Sequence, residues 1–547
     1  MSTDLPIGSD DEEFPPAPPV SDTRAVARAA VVVSSATLAS RIFGFLRDLI
    51  VARAFGASVA SDAFFVAFRL PNLLRRLVAE GALSSAFVPV FTEYVSTRSR
   101  AESLRMLRAV TGFMLLFLGA ITVLGVLASP WIVRVMAPGF FANGATGALT
   151  VQLTRLMFPY LFLVGLAALV MGVLNAHRNF LLPALAPVAL NIGIIIGALV
   201  IAPRLTEPVV GLALGVLLGG LGQLLLQVPW LWARGLLATP QFGLGHPAVR
   251  RVLGLMAPVI VGQSAVHIGT VINTIIASFL AKGSVSYLYY ADRLIEFPNG
   301  VFGVAIATAV LPTLSQQAAR RDRVGLRETL SFSLRLATFI SMPAAIGLFM
   351  LSEPIVRVLY ERGRFGPVET FGTAAAVAMY ALGLVGSSAA RILTQAFFAI
   401  GDTRTPVKVS VGAMALNCAI AASLARPLGH VGLALAIAVA GTVNAIALAL
   451  LLRRRLPGGP IPGARRAWLR SAAVSAGLCA LLALVLRLAP PPAGRLDEAA
   501  WLAAVIVGTT AVYVGCHAVL GAEEVKLARG ALVGRWRRSS LRRGKRR

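Results

Sequence analysis

The sequence predicts an all-α integral membrane protein, and three observations carry that reading. Hydrophobic residues are 57% of the chain and charged residues only 14%, where soluble domains hold about one-quarter charged residues. The apolar runs reach about 20 residues or more, which suits helices that cross a bilayer and not the alternating ten-residue strands of a membrane barrel. Lys and Arg, which lift the formal net charge to +27, lie mostly in short connections between those runs and near the C-terminus. That distribution sets orientation in a membrane and gives no reason to expect a nucleic-acid partner.

Taken in order, residues 1–24 are acidic and proline-rich and lack the basic start and cleavage site of a secretory signal. They are expected to be a disordered cytoplasmic tail. About fourteen spanning helices follow, at residues 26–55, 61–94, 106–137, 148–176, 182–202, 208–233, 249–281, 285–315, 328–356, 368–399, 405–425, 429–452, 468–487 and 499–520. An even number puts both termini on one side. The connections with Arg98, Arg100, Arg105 and Arg108, then Arg250 and Arg251, then Arg320, Arg321, Arg323 and Arg327, then Arg453 to Arg455, share one face, which is cytoplasmic by the positive-inside rule. Trp131, Trp230, Trp232, Trp468 and Trp501 fall near expected helix ends, where interfacial indoles belong.

A weak internal repeat orders these helices. AFVPVF from Ala86 is echoed by AVLPTL from Ala309, and FRLPN from Phe68 by DRLIEFPN from Asp292. The repeat predicts two six-helix lobes, 25–240 for helices 1–6 and 241–456 for helices 7–12, with a ligand site where the repeats face each other. Helices 13 and 14, in 457–521, have no counterpart, and 522–547 is a basic cytoplasmic tail suited to anionic lipid.

The chemistry is concentrated in charged positions that lipid would reject. The second helix carries Asp62, Arg69, Arg75, Arg76 and Glu80. On a straight helix Asp62, Arg69 and Arg76 form one stripe, with Glu80 a turn beyond and Pro71 placed to bend it. Helix 1 carries Ser34, Arg41 and Asp48 on one face and Arg47 and Arg53 on others. An arginine at mid-membrane costs about 2.5–3.5 kcal/mol on insertion scales, so such residues need protein or water beside them. Arg53, near the helix end, has the plainer reading of a snorkelling side chain. In helix 8, Tyr289, Asp292, Arg293 and Glu296 share a face; they read either as an internal salt-bridge cluster or as one wall of a cavity. In the second case Arg293 would join Arg41, Arg47, Arg75 and Arg76, with Asp48, Asp62, Glu80, Asp292 and Glu296 orienting the cations. Guanidinium forks match phosphate oxygens, so this pocket would suit a diphosphate.

Other polar positions have plainer readings. His267, Gln263, Asn273 and Asn417 suit hydrogen bonds between helices, and Cys418, Cys479 and Cys516 lie singly in apolar runs, without disulfide or zinc spacing. No glycine-rich phosphate loop, aspartate cluster or metal-ligand set is present, so neither ATP hydrolysis, a metal nor an enzymatic cofactor is expected.

Three ordered strings, SRIFGFLRDLIVARAFG from Ser40, SDAFFVAFRLPNLLRRLVAEGALSSAFVPVFTEY from Ser61 and YYADRLIEFPNGVFGVAIATAVLPTLS from Tyr289, resemble the MurJ (MviN) lipid II flippase family of the multidrug/oligosaccharidyl-lipid/polysaccharide exporter superfamily. The resemblance implies a two-lobed carrier in the bacterial inner membrane that moves the undecaprenyl-diphosphate-linked peptidoglycan precursor outward by alternating access, with the cell-wall synthesis machinery as a further partner. It also implies that Arg41, Arg47, Arg75, Arg76 and Arg293 line a cationic cavity with Ser286, that Asp48 and Asp62 are their acidic partners, and that helices 13 and 14 form a groove for the lipid tail. Two diphosphate charges moving outward across an inside-negative membrane gain about 4–5 kcal/mol per 100 mV. Membrane potential is therefore an expected driving force, and an ion gradient the alternative. A drug or cation antiporter of the same superfamily would want a carboxylate-dominated pocket, a membrane transferase would want a metal or catalytic carboxylate cluster, and a structural scaffold of the cell-wall machinery would keep its function when the cavity arginines are neutralised.

Overall fold

A computed structural model describes residues 23–142, 144–237, 239–242, 245–456, 464–522 and 524–525, with the side chains of 23–30, 78–80, 261–266, 301–302 and 464–468 outside that description. The acidic N-terminal tail, most of the basic C-terminal tail and the side chains of Glu80 and Gln263 therefore fall outside it. Among the described residues there is no strand. The segments expected to span are mainly helix, and among the described residues eight helices are long and apolar enough to cross a bilayer on their own, or nine when a bent pair counts as one. That count is taken over the described residues alone, and one of the helices in it, Arg404–Arg455, covers two of the expected spans.

The chain divides into two compact units that meet at Val285 and Ser286. In the first, α1 (Thr23–Phe55) leads into α2 (Val59–Leu74), whose start is fixed by a capping box between Ser58 and Ser61. Pro71 does not end the helix. The coil instead widens into a π-helix over Arg75–Leu83 before returning to α3 (Ser84–Thr97), and π turns of this kind gather at functional positions. Asp62 and Arg69 lie on the regular α2, seven residues apart as the straight-helix reading requires, whereas Arg76 falls inside the π-helix, where i→i+5 bonding departs from straight-helix spacing.

The unit continues through α4 (Arg100–Met136), α5 (Ala145–Met157), α6 (Pro159–Ala176), α7 (Leu181–Ile196), α8 (Pro208–Leu225), α9 (Val228–Ala233) and α10 (Pro247–Ser278). In lipid, helices associate by close packing of small residues. Gly193 and Gly197 on one side meet Gly211, Gly215 and Gly219 on the other. A Cβ at Gly215 would lie 2.7 Å from the Gly193 carbonyl oxygen and 3.0 Å from the Cα of Gly197. These glycines seat α7 on α8, and α7 in turn packs along α1. The core beneath holds Phe87, Phe91, Met106, Met114 and Val173, all buried.

Helix α10 also belongs to the first unit by packing, against α3, α4 and the π-helix. Arg251 pairs with Glu93 at 2.9 Å, Arg69 donates to the Thr274 hydroxyl, and the Ser278 hydroxyl accepts from the Gly139 N–H at 3.1 Å. The connection before it is inlaid as well: Gln241 N–H donates to the Arg108 carbonyl at 3.0 Å, crossing α4 where Gly112 leaves room.

The second unit contains α11 (Ser284–Pro298), a π turn at Asn299–Gly303, α12 (Val304–Ala319), α13 (Arg323–Met350), α14 (Ser352–Tyr360), and α15 (Pro367–Leu382) bent by 43° into α16 (Leu384–Ala399). The 52-residue α17 (Arg404–Arg455) holds two of the expected spans, divided at Gly429, where φ is 57°. The last pair, α18 (Ala464–Leu488) and α19 (Arg495–Val519), packs on α13 and α14. Leu351, Leu478, Leu482, Leu502 and Tyr513 form its apolar contact, and Arg357 pins α14 to α19 through Glu498 at 3.2 Å.

Candidate functional site

The first unit supplies most of the arginines singled out by sequence. Arg47 is only 8% exposed and Asp48 3%. Its Nε and Nη2 both donate to Asp48 Oδ1, at 3.0 and 2.6 Å, while Nη1 donates to Asn191 Oδ1 at 3.1 Å. Asn191 then donates from Nδ2 to the Ser40 carbonyl at 3.2 Å. A buried charge is tolerated only when paired and hydrogen-bonded, and this arrangement satisfies both needs. Arg41 and Arg53 are exposed.

At the π-helix, Arg75 is half-buried. Its Nε and Nη2 both donate to Asn72 Oδ1, at 3.1 and 3.0 Å. Arg76 is exposed beside it. Asp62 is buried and accepts the Gly283 N–H at 2.7 Å. Gly283 has a φ of 87°, a conformation that favours glycine.

The second unit brings Tyr289, Arg293 and Glu296 together, as their spacing on one face implied. Arg293 donates to Glu296 Oε2 at 2.6 Å and to the Tyr289 hydroxyl at 3.3 Å, and its guanidinium lies 5.2 Å from the centre of the Tyr289 ring. Asp292 is exposed and Ser286 is fully buried. Sequence reasoning missed Asn72 and Asn191. Their only signal was a carboxamide inside an apolar run, which by itself is an ordinary interhelical hydrogen bond.

Two groups beyond the spans have perturbed acidity. Burial pushes His177 below its ordinary value, Arg234 adds to the shift, and the hydrogen bond to the Val173 carbonyl opposes it. Asp402 is held low chiefly by the Thr405 N–H and hydroxyl, at 3.0 and 2.7 Å, with Arg455 contributing. Among the described residues no three His, Cys, Asp or Glu side chains gather as metal ligands. Chemically, the arginines offer fixed, permanently charged donors to an anion with several oxygens.

The profile of one family, Lipid II flippase MurJ, matches residues 51–491. The lipid II flippase MurJ of Burkholderia cenocepacia is 38% identical over 505 residues, covering 90% of this chain and 97% of that protein. A probable lipid II flippase MurJ of Vibrio cholerae is 37% identical over 441 residues, covering 79% of this chain and 83% of that protein. Among solved structures, a lipid II flippase MurJ in an inward closed conformation superposes with a TM-score of 0.75 at 27% identity, covering 90% of this chain and 98% of that one. A multidrug resistance MATE family transporter of the MOP superfamily in an inward-facing conformation, at 19% identity and TM-score 0.62, covers 78% of this chain and 98% of its own; it shares the fold.

Proposed function

The chain belongs to the Lipid II flippase MurJ family, and from that premise we propose that it carries lipid II from the inner to the outer leaflet of the bacterial cytoplasmic membrane. It is a transporter and not an enzyme. The observation that carries the reading is the retention of Arg47, buried and held on three nitrogens, inside an apolar membrane unit. Ionisable side chains inside a membrane unit mark substrate and ion pathways, and a guanidinium suits a substrate with phosphate oxygens.

In this reading Arg41, Arg47, Arg75, Arg76 and Arg293 engage the diphosphate, and Asp48, Asp62, Glu80, Asp292 and Glu296 hold them in place. Ser286, buried in the present state, becomes reachable as two lobes, 25–240 and 241–456, alternate. The C-terminal helix pair takes the polyprenyl tail, and both termini are cytoplasmic. No ATP is hydrolysed; membrane potential drives the outward stroke with two charges and returns the emptied cationic site. The cell-wall synthesis machinery is the expected partner.

The test is complementation of a strain depleted of its lipid II flippase, with wild type, Arg47→Ala and Arg293→Ala at matched membrane levels, followed by flipping in reconstituted vesicles with and without a potential. Rescue by wild type alone supports the reading. Rescue by all three forms removes the arginines from the mechanism, and flipping unchanged at zero potential removes the driving force. A well-expressed wild type that moves only another lipid-linked oligosaccharide would reassign the substrate.

A further inference from the structure

Two arginines of the first unit are held in the same way. Arg75 gives two donors to one oxygen of Asn72, and Arg47, already bound to Asp48, gives a third donor to Asn191. The Asn72 contact is made within one turn of α2 and its π-helical continuation. The Asn191 contact crosses from α1 to α7, and the amide is oriented by its second bond, from Nδ2 to the Ser40 carbonyl. Both acceptors are neutral. A carboxylate has the same shape and would accept more strongly; at 191 it would also lose the donor to Ser40, whereas at 72 the bonds to Arg75 need only an acceptor.

We infer that Asn72 and Asn191 are positioning residues for the diphosphate-binding arginines, and that their neutrality is the selected property. A carboxamide oxygen fixes the direction of a guanidinium fork and leaves its charge in place. The Arg47, Asp48 and Asn191 group sums to zero; with aspartate at 191 it would carry −1 at a buried position. A unit charge at about 10 Å and an effective dielectric near 20 changes the affinity for an anion by about tenfold or more. The inference rests on the functional reading above, since it takes its anion from there.

The experiment compares Asn191→Asp, Asn72→Asp and the charge-exchanged double variant Asp48→Asn/Asn191→Asp with wild type, purified in nanodiscs. Binding is measured with lipid II, with undecaprenyl diphosphate and with uncharged undecaprenol, alongside the melting temperature. The expected result is a loss of about tenfold or more in affinity for both diphosphate lipids in each single Asp variant, with undecaprenol binding held in both and melting temperature held in Asn72→Asp; Asn191→Asp, which loses the Ser40 bond and buries a charge, melts lower. The double variant, which moves the carboxylate across Arg47 without adding one, is expected to recover most of the loss. A merely structural role predicts that aspartate at 72 is tolerated and that the double variant, which still lacks the Ser40 bond, recovers no binding; diphosphate binding equal to wild type in both single variants overturns the inference. Failure of the double variant to recover binding overturns it too. A wild type that binds undecaprenyl diphosphate but not lipid II refutes the substrate reading instead, and leaves the asparagines measurable on the simpler lipid.

Discussion

Removing Asp48 is expected to damage stability more than removing the whole Arg47–Asp48 pair. Arg47 and Asp48 are 8% and 3% exposed and 2.6 Å apart, and in Asp48→Leu the guanidinium keeps the Asn191 contact but loses the carboxylate that two of its nitrogens share. Breaking one side of a buried pair costs about 3–5 kcal/mol, because the remaining charge stays desolvated without its counter-ion. Replacing both partners by apolar residues of similar volume is often neutral to stabilising, so Arg47→Met/Asp48→Leu is expected to melt within about 1 kcal/mol of wild type while losing transport. The assay is thermal or denaturant unfolding in nanodiscs, with flipping measured on the same preparations. A double variant as unstable as Asp48→Leu would refute the reasoning, since the loss would then come from shape and not from an uncompensated charge. A double variant that still transports would show that Arg47 serves structure alone.

The α7 and α8 seam predicts that Gly215→Leu, which must push against Gly193 and Gly197 backbone, destabilises by about 1–3 kcal/mol or more, read as a lower melting temperature. On α4, Gly112→Ala is expected to displace the Gln241 strap and raise protease cleavage near it, whereas Gly119→Ala, with no heavy atom within 4 Å of its new Cβ, should behave as wild type; equal cleavage in both sinks the strap. Burial lowers the His177 pKa, so the unfolded chain takes the proton first: this contribution is constant above the ordinary histidine value of about 6.5 and stability falls as pH drops below it. His177→Phe should flatten the difference in melting temperature between pH 7.5 and pH 5.5, and an unchanged difference rejects the assignment. Finally, Arg357→Ala leaves Glu498, 5% exposed, without its cation; freer exchange of amide hydrogens in α19 is expected, and exchange as in wild type would mean the apolar contact alone holds the pair.

Membrane residence, the helical class and the positions of the charged segments were legible in composition and run length, because lipid permits few structures and each expected span is mainly helix. The pairing of Tyr289, Arg293 and Glu296 was legible too, since α11 is regular there and spacing converts directly to a face. The change of helix type that begins at Arg75 and takes in Arg76 was not. A π-helix arises from hydrogen bonds shifted by one residue, and nothing in RRLVAEGAL announces that shift. The amide acceptors Asn72 and Asn191 were hidden for another reason. Asn191 is 144 positions from Arg47, and its role exists only because glycines draw α7 against α8 while α7 lies along α1.

The sequence by itself determined what must be satisfied: apolar helices in lipid, arginines that need partners, and a family pattern that carries both. Only the tertiary structure decided which partners those arginines took, because helix rotation, π turns and close glycine contacts set the reach of a guanidinium to within an ångström. Residue spacing along the chain does not resolve that distance.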